Sequence, residues 1–170
     1  MKSTRDRTHS AEPQGLPAIL FSVGSFVFAI AASAVAEIQV PAQAPLLENA
    51  GGAGSVSSSL VRDGRRYWVV DANRYFQVPR TRSKRLLLFS EMPIALKVDS
   101  ILRMTTLPKI LPLPQAFHGE ERKWYLGLAV LEEQVVPVVN PASLLKPETL
   151  AELQAQAGTT VHLDPAAVLA

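Results

Sequence analysis

Apolar residues fall in short runs punctuated by prolines, glycines and acidic pairs, a spacing that predicts strands and turns rather than long helices. Residues 18–23 (Ala-Ile-Leu-Phe-Ser-Val) and 26–30 (Phe-Val-Phe-Ala-Ile) flank Gly24-Ser25, and Phe26, Phe28 and Ile30 share one face at period two. This pair predicts a β-hairpin. Residues 31–38 hold alanines without a breaker and predict one or two helical turns ending at Glu37-Ile38, ahead of Pro41. Residues 48–59, rich in Gly, Ser and Ala, have too little apolar surface to fix themselves in a core and are read as a mobile loop. Residues 66–70 predict a strand, 71–77 a turn or short helix, and 85–90 with 93–98 a second hairpin around Glu91-Met92. Another strand is expected over 99–107. Pro108, Pro112 and Pro114 then enforce an extended path. Residues 124–131 and 134–139 form the third hairpin, around Glu132-Glu133, and Pro137 is expected to require an edge position or a bulge. Lys146-Pro147-Glu148 starts a C-terminal helix with Leu150 and Leu153 on one face and Gly158 as its stop. Together these elements describe an all-β (mainly β) protein of strongly curved sheets.

One stretch reads two ways. Residues 16–36 carry no charge and are long enough to span a bilayer as a helix. Lys2, Arg5 and Arg7 precede it, and Ala32-Ser33-Ala34 imitates a signal-cleavage site, so a secreted or membrane-anchored small β protein is the alternative. Asp6 and Glu12 in the leader, the Gly24-Ser25 break and the β-branched and aromatic content favour the hairpin.

A chain of 170 residues with 48% hydrophobic and 19% charged residues suffices for one compact domain or two small lobes. Cysteine is absent, which excludes disulfides, thiolate metal sites and a cysteine nucleophile. The formal net charge of +2 makes no case for nucleic acid. Locally, however, residues 62–85 hold Arg62, Arg65, Arg66, Arg74, Arg80, Arg82, Lys84 and Arg85 against Asp63 and Asp71. That excess suits either a solvated strand edge or a surface for an acidic partner. Catalytic sets are missing. His9, His118 and His162 lack metal-ligand spacing, Glu120-Glu121 and Glu132-Glu133 read as solvated turn acids, no Gly-x-Ser-x-Gly elbow occurs, and no Lys-Ser/Thr follows Gly54 to make a phosphate loop. The expectation is a protein that is not an enzyme and has no metal or cofactor.

The phrases that remain resemble one family in order and spacing. Ile19-Leu20-Phe21-Ser22-Val23-Gly24, Phe28-Ala29-Ile30 and Val35-Ala36-Glu37-Ile38 look like the opening of CheW-like domains, the chemotaxis coupling proteins. Arg62-Asp63-Gly64 before Trp68-Val69-Val70-Asp71 resembles the family's Leu-Arg-Gly phrase and the strand that follows it. Residues 88–99 resemble its next hairpin. Ile110-Leu111-Pro112-Leu113-Pro114 and residues 125–145 resemble its Ile-x-Pro-x-Pro run and its Val-Pro-Val-Val-Asn ending. The resemblance implies two small five-stranded SH3-like β-barrel subdomains side by side over 16–146, between a disordered tail (1–15) and a C-terminal tail with a short helix (147–170). It also implies a cytoplasmic scaffold coupling a methyl-accepting chemoreceptor to a CheA-type histidine kinase in a chemosensory two-component pathway, without cofactor, nucleic acid or membrane insertion.

Carried over position by position, the implied partner-binding residues are Val35, Glu37, Ile38, Arg62 and Gly64. Val35 and Ile38 would supply apolar contact, Glu37 and Arg62 charge. Read without the family, Val35 and Ile38 are core and Glu37 a surface acid. Asp63 departs from the family's Arg-Gly pattern, which either displaces Arg62 or puts an acid in its place. Trp68 stands where a proline is common. Both departures mark a divergent member.

Overall fold

A computed structural model describes residues 14–48 and 54–159. The first hairpin pairs β1 (Leu16–Val23) with β2 (Phe26–Ala31) through a two-residue turn at Gly24, whose φ of 61° a side-chain-bearing residue rarely adopts. A one-turn 3₁₀ segment (Ala32–Ala34) leads into β3 (Val35–Gln39). The two-residue β4 (Leu47–Glu48) precedes β5 (Val56–Arg62) and β6 (Arg65–Asp71). Helix α1 (Ala72–Tyr75) is capped by the Asp71 carboxylate, which accepts from the Asn73 and Arg74 amides. Then come β7 (Arg85–Phe89), β8 (Ile94–Val98), β9 (Ser100–Leu107), α2 (Glu121–Trp124), β10 (Tyr125–Leu131), β11 (Gln134–Val139) and α3 (Pro147–Thr159).

Two sheets result. The first has five strands in the order β10-β11-β2-β1-β9, the second six in the order β3-β7-β8-β6-β5-β4. Neither ladder closes on itself. Each sheet curls instead into an open roll, the second with an added short strand, and the two rolls are consistent with the expected SH3-like subdomains. In the first, edge strands β9 and β10 touch, and Arg103 reaches Glu132 at 3.3 Å.

Curling creates three apolar interiors. Ala18, Leu20, Ala29, Leu107, Ala129, Val136 and Val138 fill the first roll. Leu60, Tyr67, Val69, Leu86, Leu88 and Ala95 fill the second. Between the sheets lies a shared core from both, including Ile19, Phe21, Phe28 and Ile30 from one and Val70, Leu87, Phe89, Ile94 and Leu96 from the other. Strands covered on both faces need apolar residues at every position. That is why residues 16–31 mimic a membrane helix although β1 and β2 are paired strands; among the described residues, no helix is long and apolar enough to cross a membrane.

Four local expectations change. The alanines after Ile30 form a single 3₁₀ turn, and pairing with β7 makes Val35–Gln39 a strand, so tertiary contact overrides helix propensity. Val56, Ser58 and Ser59 are buried in β5 and leave the expected loop; residues 49–53 lie outside the described residues. Pro137 sits in an interior strand. Leu128, opposite it, spends both backbone groups on Leu111, so the Pro137 nitrogen faces β2, where pairing consists of the single bridge Val138–Ala29. Finally, α3 runs through Gly158 and docks Leu153 and Leu150 on the shared core. Of the expected tails, residues 1–13 and 160–170 lie outside the described residues.

Candidate docking face

The local geometry of β3 depends on one β-bulge. Val35 pairs with Phe89, but the next pair is Glu37 with Leu88, leaving Ala36 as an extra residue. Phe89 faces the shared core and Leu88 the interior of the second roll. A residue opposite each therefore points the same way, so Val35 packs on the shared core while Glu37 is switched to the concave side. Gln39, opposite Leu86, follows Glu37, and Ile38 is thrown to the other face, 42% exposed.

Strand β5 delivers the opposite charge. Ser58 and Leu60 alternate on the concave side, and Arg62 continues that alternation to the strand's end, beyond the apolar filling. There Arg62 Nε donates to Glu37 Oε2 at 3.2 Å and Nη2 to Glu37 Oε1 at 3.1 Å, a two-point geometry. Gln39 Nε2 donates to Glu37 Oε1 at 2.9 Å. The Gln39 amide, and after it the Arg62 guanidinium, hold the Glu37 carboxyl below its ordinary value against an opposing desolvation effect. The pair joins β3 to β5, which are not neighbours in the sheet, and so tethers the rolled sheet across its opening.

Arg62 pairs with Arg65, so Asp63 and Gly64 are the two central residues of a tight turn, with φ of 50° and 76°. Asp-Gly suits the type I′ turn that positive φ at both positions requires. The Asp63 side chain is 85% exposed, its carboxylate 3.7 Å from Arg62 Nε.

The structure thus gathers Glu37, Arg62 and Gly64 at one end of the second roll, with Ile38 on the neighbouring face of β3. Val35 is half-buried against the shared core. Two residues escaped the sequence reading. Gln39 orients Glu37, and its position at i+2 on the same strand was the available signal once β3 is a strand. Val61, 47% exposed beside Arg62, adds apolar surface. These side chains border a groove of about 380 Å³ with Val40, Pro45 and Leu60.

A larger cavity, about 800 Å³, opens where α2 and residues 140–145 meet the start of α3. Its polar groups largely serve the protein itself: the Tyr75 hydroxyl donates to the Ser143 carbonyl at 2.7 Å, and Asn140 bonds the Lys123 carbonyl and Ala142 amide. His118 is exposed, while His9 and His162 lie outside the described residues. Among the described residues no three His, Cys, Asp or Glu side chains converge as metal ligands.

No curated protein matches this sequence. Among solved structures, the fold is similar to that of the scaffolding protein TtCheW from Thermoanaerobacter tengcongensis, with a TM-score of 0.67 and 13% identity over 74% of this chain and 89% of that one. The family model for the CheW-like domain matches residues 17–149, from the first strand of the hairpin to the opening turn of α3, and the chain belongs to the CheW-like domain family.

Proposed function

We propose that this protein is a non-enzymatic cytoplasmic adaptor that couples a methyl-accepting chemoreceptor to a CheA-type histidine kinase, docking through Glu37, Ile38, Arg62 and Gly64, with Val35 holding β3 in place. The observation that carries this reading is the Glu37–Arg62 pair, set by a bulge on one strand and a tight turn on another, with exposed Ile38 and Val61 beside it. Apolar surface with a charged rim is what a reversible protein interface needs, because burial supplies attraction and the charges select the partner. Membership of the CheW-like family supports the partner classes.

The ion pair also tethers the sheet, so a test must separate shape from charge recognition. In pulldowns from native lysate, Glu37→Arg and Arg62→Glu are each expected to lose receptor and kinase. The double exchange restores an ion pair of opposite polarity. It should match the wild type in thermal stability to within about 1 kcal/mol and still fail to retain the partners. Retention by the double exchange would show that the face is not read by charge, and the docking assignment would be wrong.

A further inference from the structure

On the first sheet the shared core covers Phe28 and Ile30 of β2 but stops short of the strand's first residue, Phe26, which lies on the same face at period two. Counting back three residues from the Val138–Ala29 bridge of the parallel pair sets Val135 beside Phe26. Val135 is in turn paired with Val130 of β10. All three side chains are exposed. Three adjacent strands thus present an apolar row on one face, with cross-strand neighbours ~5 Å apart. A shallow groove of about 420 Å³ runs beside it, bordered by Phe26, Val78, Pro79, Val135 and Pro137.

The row carries opposite charge at its two ends. Beside Phe26, the turn glycine Gly24 lies so near Val78 that a Cβ there would stand 2.9 Å from Val78 Cγ1. Pro79, whose carbonyl accepts from Asn73 Nδ2 at 2.8 Å, leads the chain from there into exposed Arg80. At the other end, the Glu132-Glu133 turn follows one residue pair beyond Val130 and Val135. Glu132 meets Arg103 at 3.3 Å. The exposed side chains of Arg80 and Glu133 have no hydrogen-bond or ion-pair partner among the described residues.

We infer that this strip pairs with the same strip of a second copy of this chain, as a two-fold dimer with Val135 near the axis. A two-fold rotation reverses the strip, so Phe26 of one copy meets Val130 of the other and Arg80 meets Glu133, each contact made twice. An anionic membrane would find an anchor in Phe26 and a cation in Arg80, but it would be repelled by the acidic turn at the other end, as would an acidic partner. Only a surface with the same charge polarity, reversed, satisfies both ends. The row and its rim fall short of the roughly 800 Å² per partner of a stable complex, which makes the dimer a weak one, with Kd on the order of 100 μM. The strip shares no residue with the Glu37–Arg62 face, so either assignment can fail alone.

In sedimentation equilibrium at concentrations spanning that Kd, the full chain should populate a dimer. Arg80→Glu and Glu133→Arg should each weaken it about tenfold, because the repulsion is applied twice, and the double exchange should return it to within about threefold of the wild type. Because the chain has no cysteine, Val135→Cys places a single thiol near the axis. Mild oxidation should link two copies of it, whereas Leu47→Cys, similarly exposed on the other sheet, should stay monomeric. Phosphatidylserine vesicles form the last arm and should not retain the wild type. Circular dichroism verifies that each variant is folded, and the charge exchanges decide alone if Val135→Cys is not. A monomer at every concentration, a double exchange no tighter than the single ones, cross-linking as ready through Leu47→Cys as through Val135→Cys, or vesicle binding that Phe26→Ser abolishes would each overturn the inference.

Discussion

At Ala36 one extra residue decides which way a carboxylate points. Without the bulge, Glu37 would follow Val35 toward the shared core, where a charge has no partner. Glycine plays a comparable part at position 127. A Cβ there would stand 2.3 Å from the Leu111 carbonyl oxygen and 2.6 Å from Ile110 Cγ2. Gly127→Ala should therefore separate the Pro-rich segment from β10 and cost about 3 kcal/mol in urea unfolding. The turn at Glu132-Glu133 holds two side-chain-bearing residues at φ of 50° and 66°. Glu133→Gly relieves left-handed strain of roughly 1 kcal/mol and gives back part of it through greater freedom of the unfolded chain. A rise in Tm of about 1–3 °C is expected by calorimetry, with the Arg103–Glu132 contact untouched.

At the scale of elements, hairpins were readable where turn chemistry and β-rich runs coincided, as at Gly24-Ser25 and Glu132-Glu133. Elements fixed by partners distant in sequence were not. Residues 35–38 looked helical because alanine propensity is local, while β7 lies some fifty residues on. Val56 to Ser59 looked like loop because serine hides a strand whose buried positions include small polar side chains. Of the residues proposed for docking, Glu37 and Arg62 were legible through family phrases, but their contact was not, since it depends on a bulge and on the curl of a sheet. The helix α3 was legible by its Lys-Pro-Glu start, and its packing is testable. Leu153 is 2% exposed in the shared core, so Leu153→Ala should destabilise by about 2–4 kcal/mol in chemical unfolding, where a helix merely laid on the surface would lose a fraction of that.

For the whole molecule, the joint between the sheets is aromatic. Phe28 and Phe76 stack at 4.5 Å between ring centroids, and Tyr125 lies near both. Burial, with smaller contributions from Tyr75 and Glu121, pushes the Tyr125 hydroxyl up from 10.0 to about 12. Burial likewise raises Tyr75. In this window the unfolded chain releases protons that the folded chain retains, so stability present below pH 10.0 falls as the pH rises toward 12. Urea midpoints measured across that range should decline, and Tyr125→Phe should flatten the decline. A slope unchanged by the substitution would assign the alkaline loss to other groups.

The strand order carries one more consequence. Every strand of the six-stranded sheet, β3 to β8, lies in the chain between β2 and β9, so one sheet is threaded whole into the other. On a ribosome the inner unit has all its strands once Val98 has emerged, whereas the opening hairpin must wait for β9 and then β11 before both its flanks are paired. The oiliest stretch of the polypeptide is thus made before every strand that flanks it and is among the last to be covered, which makes the nascent chain, rather than the finished protein, the form most in need of a chaperone.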